Sequence, residues 1–299
     1  MMKKINLPNF NIKDTYPLSL KYIDQSKQNR KIIFDNLTSL TDDIFSYSDE
    51  YEEKASQGKL YELDKDRFRN YSENLVKLYK SYFSNNQPQY STIRKFYDLI
   101  LTNGNENKDK IIKCPYCLSA ICSHVDHFLP ESIYHGLAVN PKNLIPSCHN
   151  CNTKKRAKIF KIIGQHQVSF FHPYYDDLDN VLWLKANITI EQNFLSVSFL
   201  VDSSLDVAEE IIYKINYTFD ELGMAQYLSN KAAETELTTL MAKFRSKDFW
   251  LELSNEEITT TLDSNRKLFI LTHGKNHWLT ALYAELSKRS DLYDVLKIS

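Results

Sequence analysis

The first third of the chain carries apolar residues at intervals of three or four positions, with polar residues between them. This spacing places the apolar side chains on one face of an amphipathic helix. We therefore predict a helical region over residues 1–107, whose tyrosines serve as packing residues; the alternative is that they stack on bases. The apolar stripes are Ile33, Leu37, Leu40 and Ile44; Tyr71, Leu75, Leu78, Tyr79 and Tyr82; and Ile93, Phe96, Tyr97 and Ile100.

The last third of the chain contains one segment in which apolar and polar residues alternate, and then returns to helical spacing. The alternation spans residues 187–201 and is interrupted by Gln192-Asn193. Alternation with a period of two is typical of strands, and the polar dipeptide provides a turn, so the segment predicts a β-hairpin. Three later stripes predict helices: Ile211, Ile212 and Ile215; Leu237, Leu240, Met241 and Phe244; and Trp278, Leu282 and Leu286.

A polar junction separates the helical region from a cysteine-rich segment. Residues 103–110 read Asn-Gly-Asn-Glu-Asn-Lys-Asp-Lys and contain no apolar side chain. Such a run is typical of a loop between folded parts, and we place a domain boundary there. The sequence thus predicts an α+β protein in three parts. These are a helical N-terminal region (1–107), a cysteine-rich module (108–164), and a C-terminal α+β region (165–299) with its hairpin near 187–201.

Composition and charge fit a folded globular protein and draw attention to the same module. The chain has 299 residues, of which 42% are hydrophobic, enough for more than one domain. Between Lys108 and Lys161 there are nine basic and three acidic residues, a net charge of +6. Because the whole chain carries −1, the remainder carries −7. A basic module on an acidic body indicates contact with a polyanion, although a solvated basic helix would explain the charge equally well.

The sequence gives no sign of a secreted or membrane protein. Its first ten residues begin with positive charge but lack the apolar core of about seven residues that a signal peptide needs. No run approaches the roughly 18 apolar residues of a membrane span. All five cysteines fall within residues 114–151, whereas a disulfide framework usually scatters them. We expect a cytoplasmic protein without membrane contact.

Two Cys-x2-Cys pairs frame the module. Cys114 and Cys117 form the first pair, Cys148 and Cys151 the second, with 30 residues between them. Four thiolates in two such pairs suit a tetrahedral Zn²⁺, which can hold together a segment too poor in apolar residues to fold alone. We predict a structural zinc site; the alternative is four thiols without a metal. Cys122 falls outside both pairs. His124 and His149 are not assigned as ligands because four cysteines already saturate the ion.

A second group of polar residues in the module has a different chemistry. Asp126 offers a hard oxygen ligand, suited to Mg²⁺ or Mn²⁺ rather than to zinc. Asn152, directly after the last cysteine, can add a second oxygen. His127 has an ordinary pKa near working pH and can take a proton from water. On a strand Asp126 and His127 would point to opposite faces, but both can reach one phosphate if the strand ends there.

The end of the module is basic. We expect Asn152 to open a helix that continues through Lys154, Lys155 and Lys158. The beginning of a helix with basic residues favours a phosphate. These three lysines are therefore candidate nucleic-acid contacts that position the backbone without recognising sequence.

Taken together, Cys-x2-Cys, Asp-His-x2-Pro, Asn-Leu and Cys-x2-Cys-Asn-x2-Lys resemble the HNH endonuclease family, with its ββα-metal fold. The resemblance implies that Asp126 is a metal ligand and that His127 is the general base activating water. It assigns Asn143 as the structural Asn that braces the loop between the two strands. Asn152 stands where the family has its final His and completes the metal site. Many members carry Asn there, including the HNH domain of RNA-guided CRISPR nucleases, and many have a four-cysteine structural zinc.

The resemblance implies hydrolysis of a DNA phosphodiester with Mg²⁺ or Mn²⁺. The flanking parts resemble, more weakly, stand-alone bacterial HNH proteins of phage-defence operons. In those operons an HNH subunit works with an ATPase, as in Septu-type systems, so an ATPase subunit is a candidate partner. Two alternatives stay open. One is a zinc-stapled module that binds nucleic acid or protein without cutting; the other is an HNH enzyme that cleaves RNA.

Overall fold

A computed structural model describes residues 1–105, 112–191 and 194–298 of the chain. These residues divide into two compact units. One is Met2–Asp177; the other is Met1 together with Leu178–Ser299. Part of the predicted junction at 103–110 and the whole predicted turn Gln192-Asn193 lie outside the described residues.

The unit Met2–Asp177 begins with helices that bury tyrosines as well as aliphatic residues. Tyr16, Tyr47 and Tyr51 are at most 1% exposed, as expected for packing residues. The first predicted stripe is divided between two helices, because the chain turns at Leu40 before a helix whose first turn carries two aspartates. A π-helical segment, Leu78–Phe83, follows the fourth helix. The helices are α1 (Ile12–Leu20), α2 (Gln28–Ser39), α3 (Thr41–Ser56), α4 (Ser72–Lys77) and α5 (Ser91–Leu101).

The cysteine-rich module follows in the same unit as two short strands and a helix, β1 (His124–His127), β2 (Leu144–Ser147) and α6 (His149–Lys155). β1 and β2 are antiparallel, with Asp126 opposite Ile145 and His127 opposite Leu144. A second antiparallel pair, β3 (Phe160–Ile163) and β4 (His166–Ser169), follows α6. The sequence pattern did not predict this second pair. The prediction of an α+β fold with a ββα module is confirmed.

The unit formed by Met1 and Leu178–Ser299 begins with the predicted hairpin, β5 (Leu184–Glu191) and β6 (Phe194–Val201). Its alternation is visible in the burial of β6, where Leu195, Val197 and Phe199 are buried and their neighbours are not. Helices complete the unit: α7 (Glu209–Glu221), α8 (Met224–Ala232), α9 (Thr238–Arg245), α10 (Asn255–His273), α11 (Trp278–Leu286) and α12 (Tyr293–Ile298). In the described part of the chain, no helix combines the length and hydrophobicity needed to cross a membrane.

Candidate functional site

The four predicted zinc ligands lie together. Cys114, Cys117, Cys148 and Cys151 are buried and form no disulfide, and their sulfur atoms all lie within 4.8 Å of one another. The sulfurs of Cys117 and Cys148 are 4.0 Å apart. Two sulfurs on a tetrahedral zinc with bonds of about 2.3 Å would be about 3.8 Å apart, so the cluster fits this ion. Burial raises the pKa of the Cys114 thiol to about 12, whereas contact with Cys114 lowers the pKa of Cys117.

Local backbone geometry explains why these cysteines converge. The N–H of Leu118 donates to the Cys114 carbonyl at 2.8 Å, and Leu118 adopts a positive φ of 51°. This tight turn brings Cys117 back beside Cys114. At the other pair, the sulfur of Cys148 caps α6 by accepting a hydrogen bond from the N–H of Cys151 at 3.4 Å. Each Cys-x2-Cys pair is therefore closed by its own short-range hydrogen bond.

Asp126 and His127 occupy the last two positions of β1 and point to opposite faces. His124 and Asp126 are partly exposed, whereas Val125 and His127 are buried. This is the alternation expected on a strand. β1 ends at His127, however, and the loop that begins there continues to β2. The pair thus lies at a strand end, with the aspartate on the side of α6.

The ring of His127 is oriented by a backbone carbonyl. Its Nε2 lies 2.8 Å from the oxygen of Ala138. A carbonyl oxygen can only accept, so Nε2 carries the proton and the neutral ring has its lone pair on Nδ1. Within the described residues Nδ1 makes no hydrogen bond. Burial lowers the pKa of His127 below its ordinary 6.5, against the opposing effect of the Glu131 carboxylate. The arrangement favours a neutral imidazole with one nitrogen open to a proton.

Asn143 directly precedes β2 and is fully buried. Its Oδ1 accepts a hydrogen bond from the N–H of Leu129 at 2.8 Å, and its Nδ2 donates to the Leu129 carbonyl at 3.0 Å. The backbone N–H of Phe128 also donates to the Asn143 carbonyl at 2.7 Å. These bonds join the beginning of the loop after β1 to its end before β2.

Asp126 and Asn152 provide the hard oxygens of the module. Asp126 retains 11% exposure of its side chain, and its Oδ2 lies 3.0 Å from the ammonium of Lys155. Asn152 lies in the middle of α6 and is half-buried. Its side-chain amide makes no hydrogen bond to any part of the chain that the structure describes. A carboxylate and an uncommitted amide oxygen are a donor set that fits Mg²⁺ or Mn²⁺.

These residues belong to a segment with a recognisable family pattern. Residues 114–158, which contain the four clustered cysteines, β1, β2 and α6, match the family described as HNH endonuclease. This segment is an HNH endonuclease domain. The resemblance inferred from the sequence motifs is thereby confirmed.

Two curated relatives extend the comparison. Protein ea31 of Escherichia phage lambda is 27% identical over 230 residues, which cover 73% of this chain and 74% of ea31. Septu protein PtuB of Bacillus thuringiensis is 46% identical over 48 residues, 14% of this chain and 19% of PtuB. The chain thus spans only about a fifth of PtuB. No solved structure gives a significant match.

The helix of the HNH domain differs from the one expected. The sequence predicts a helix that opens at Asn152 and runs through Lys158, whereas α6 spans His149–Lys155. It starts earlier because Cys148 caps it, and it ends where Arg156 adopts a φ of 46°. Asn152 is consequently an interior residue of α6, and Lys158 lies beyond the helix.

The three candidate phosphate-binding lysines occupy different environments. Lys154 and Lys158 are exposed. Lys155 is 0% exposed, and its ammonium lies 3.0 Å from the Asp126 carboxylate and donates to the carbonyl of His127 at 2.8 Å. The structure therefore places Lys155 inside the HNH domain, not on the surface expected from the sequence.

Sequence reasoning missed two tyrosines that hold β1. The hydroxyl of Tyr79 donates to the carbonyl of Val125 at 3.1 Å, and the N–H of Val125 donates to the hydroxyl of Tyr97 at 3.3 Å. Burial raises the pKa of Tyr79 well above its ordinary 10, so its hydroxyl remains a donor. The Tyr79 ring also meets His127 edge-on, with centroids 4.4 Å apart. Two helical stripes identified these tyrosines as packing residues but could not show that they contact a strand.

Glu131 is a second acidic group near the catalytic candidates. Its Oε2 lies 3.6 Å from Nε2 of His127, and its Oε1 lies 3.0 Å from the ammonium of Lys80. Its side chain is 17% exposed. The carboxylate is thus on the Nε2 side of the ring, where it supports the protonated nitrogen and leaves Nδ1 unobstructed by this group.

A segment after the HNH domain packs at the ends of both of its strands. It comprises residues 171–177, Phe-His-Pro-Tyr-Tyr-Asp-Asp. His172 is buried, and its ring lies 3.9 Å from that of Phe128, the first residue after β1. Its Nε2 is 2.8 Å from the hydroxyl of Tyr51 on α3. The hydroxyl of Tyr174 donates to the carbonyl of Leu144 at 2.8 Å, where β2 begins. This turn therefore helps to fix the ends of both strands.

Proposed function

We propose that this chain is an endonuclease that hydrolyses DNA phosphodiester bonds, with His127 as the general base. The observation that carries the proposal is the hydrogen bond from Nε2 of His127 to the Ala138 carbonyl. It leaves Nδ1 as the nitrogen able to accept a proton, in a ring whose pKa is lowered by burial. A neutral, oriented imidazole is what a general base requires.

His127 would take a proton from the water that attacks the phosphorus. The residue retains 8% exposure. The Ala138 carbonyl and the Glu131 carboxylate lie at Nε2, so they would stabilise the imidazolium that forms when Nδ1 receives the proton. The edge-on contact with Tyr79 restricts rotation of the ring. These contacts fix the orientation of the ring, so the proton would pass from the attacking water to Nδ1.

Two kinds of metal site have separate roles in this proposal. Cys114, Cys117, Cys148 and Cys151 would hold a structural Zn²⁺, for which their sulfur cluster is suited. Asp126 and Asn152 would hold Mg²⁺ or Mn²⁺. When bound, this ion would neutralise charge on the phosphate and stabilise the leaving 3′ oxygen. The soft thiolate ligands would hold the structural zinc, and the hard oxygen ligands would hold the ion that takes part in hydrolysis.

Exposed basic residues at the end of α6 and directly after it would position the substrate. Lys154, Arg156 and Lys158 are all exposed and follow one another within five residues. The segment 108–161 carries a net charge of +6 on a chain of net charge −1. Contacts of this kind hold the nucleic-acid backbone in place without specifying its sequence.

We extend the proposal to the cellular role. The similarity to Septu protein PtuB over 48 residues supports a part in defence against phage, together with an ATPase subunit. Only 19% of PtuB is covered, so the support does not extend to the rest of that protein. Copurification from the native host would test the partner directly: recovery of an ATPase subunit in stoichiometric amounts is expected, and its absence would contradict this extension.

The nuclease assignment is tested by incubating the purified protein with plasmid DNA and, separately, with a folded RNA. We expect nicking of the plasmid in Mg²⁺ or Mn²⁺ and none in EDTA. Cleavage of RNA alone would favour an RNA-cleaving HNH enzyme. Tight binding of either nucleic acid with no cleavage under any of these conditions would favour the zinc-stapled binding module.

A further inference from the structure

Lys155 is the only residue among the candidate phosphate contacts that the structure buries completely. Its ammonium lies 3.0 Å from Oδ2 of Asp126 and 2.8 Å from the carbonyl oxygen of His127. Removing an ammonium from water is costly unless it is paired and hydrogen-bonded. Its two partners are the proposed metal ligand and the proposed general base. One buried side chain therefore joins α6 to both catalytic candidates at the end of β1.

The contact with Lys155 uses one oxygen of the Asp126 carboxylate. Oδ2 is buried, whereas the side chain as a whole retains 11% exposure. A metal ion at this position would share Asp126 with an ammonium, and Asn152 would add a ligand without charge. The other carboxylate near the site, Glu131, lies 3.0 Å from the ammonium of Lys80 and 3.6 Å from Nε2 of His127.

The charges of the site are therefore balanced before any metal arrives. Asp126 and Lys155 cancel, so a divalent ion would enter with no net negative charge to receive it. Close like charges repel more strongly inside a protein than in water. A phosphate of the substrate would bring the negative charge that the protein lacks.

We propose that Lys155 neutralises Asp126 so that the divalent ion binds firmly only together with a substrate phosphate. The inference rests on the proposed function, because it takes Asp126 as a ligand of the catalytic ion. Lys155 acts as a positioning residue: it fixes the carboxylate and weakens the bare metal site. Metal and nucleic acid then increase each other's affinity by the same factor, since coupling between two ligands is reciprocal. The protein would hold little catalytic metal away from its substrate.

The test measures Mn²⁺ affinity of the zinc-loaded full-length protein by titration calorimetry, first without nucleic acid. Lys155→Gln removes the charge and keeps a donor for the His127 carbonyl. It is expected to bind Mn²⁺ about tenfold more tightly than the wild type. Lys154→Gln removes the same charge from an exposed position of the same helix and is expected to change little. Lys155→Arg keeps the charge and is expected to bind as weakly as the wild type.

A second arm repeats the titration with a short DNA duplex, in a His127→Ala background that prevents cleavage. The duplex is expected to raise the Mn²⁺ affinity of the otherwise wild-type protein about tenfold, and that of the Lys155→Gln form by much less. Retained zinc and an unchanged circular dichroism spectrum establish that each variant is folded. If Lys155→Gln loses zinc, two other measurements decide the proposal. These are the Mn²⁺ affinity of the Lys155→Arg form and the effect of the duplex on the Mn²⁺ affinity of the protein that retains Lys155.

Unchanged or weaker Mn²⁺ binding by folded Lys155→Gln would overturn the proposal, as would tighter binding by Lys155→Arg. Equal Mn²⁺ affinity with and without the duplex would also overturn it. Asp126→Asn separates this inference from the proposed function. If Mn²⁺ binding survives that substitution unchanged, the assignment of Asp126 as the metal ligand fails. If Asp126→Asn abolishes binding but Lys155→Gln has no effect, the role of Lys155 alone fails.

Discussion

The side chain of Asn143 and the backbone of Leu129 form a reciprocal pair of hydrogen bonds, 2.8 Å and 3.0 Å long. Asn143 is completely buried, and the two residues are 14 positions apart. The pair closes the loop that connects β1 with β2. That loop contains Ala138, whose carbonyl orients His127. Asn143 thus acts on the proposed general base through the loop, without touching the imidazole.

Replacement of Asn143 by Ala should destabilise the HNH domain by about 2–4 kcal/mol, because it leaves the N–H and the carbonyl of Leu129 buried without partners. Asn143→Asp keeps the acceptor but replaces the donor with an oxygen that faces the buried carbonyl of Leu129, so it should cost at least as much. The stability of both variants would be measured by denaturant unfolding, with the release of zinc as the signal. The exposed Asn187 of β5 provides a matched control, since Asn187→Ala should change stability by less than about 0.5 kcal/mol. A similarly small effect of Asn143→Ala would contradict the bracing role.

Cys148→Ser should remove about one equivalent of zinc per chain and unfold the HNH domain, because three thiolates no longer close the tetrahedron. Elemental analysis of the purified variant provides the measurement. Cys122→Ser is the control, since Cys122 is buried but lies outside the group of four clustered sulfurs. That variant should keep its zinc. Full zinc content in Cys148→Ser would refute the four-cysteine site.

The ring of Tyr79 should contribute more to stability and to the nicking rate than its hydroxyl does. Tyr79→Phe loses only the hydrogen bond to Val125 and should cost about 1 kcal/mol of stability. Tyr79→Ala also removes the edge-on contact with His127 and should cost about 3–5 kcal/mol. The nicking rate should follow the same order. Equal rates for the two variants would show that the ring does not hold the imidazole in place.

Much of this architecture could be predicted because its signals are local. The two Cys-x2-Cys pairs, the alternation in β6 and the stripes of α5 and α11 each lie within a few residues of sequence. The pair β3–β4 was missed because its strands have only four residues each and no clear alternation. The bounds of α6 were misplaced because the cap is a cysteine sulfur, an unusual capping group.

The environment of the catalytic candidates could not be predicted from the sequence. The partner of His127 is a backbone carbonyl, which every residue has, so no pattern of side chains reveals it. Lys155 is one of four consecutive or nearly consecutive basic residues, and only the packing of α6 on β1 shows that it is the buried one. Tyr79 reaches Val125 across 46 positions. These relationships depend on tertiary structure, which local periodicity does not encode.

Lys154 should contact a phosphate, since it is exposed on α6 beside the proposed site. Lys154→Ala should weaken DNA binding uniformly across sequences and lower the slope of log affinity against log salt by about 1. Binding measured by fluorescence anisotropy over a range of salt concentrations would show this. Lys247→Ala, in the unit that lacks the HNH domain, should leave the slope unchanged. An unaltered slope for Lys154→Ala would exclude this contact.

The most direct test of the account is the rate at which His127→Ala nicks plasmid DNA under single-turnover conditions in Mg²⁺ or Mn²⁺. Loss of the general base should lower the rate about 10²–10⁴-fold while zinc content stays at the wild-type level. His166→Ala, on β4 of the same unit, removes an imidazole outside the proposed site and should retain the wild-type rate. Equal nicking by His127→Ala and the wild type would contradict the assignment of His127 as the catalytic base.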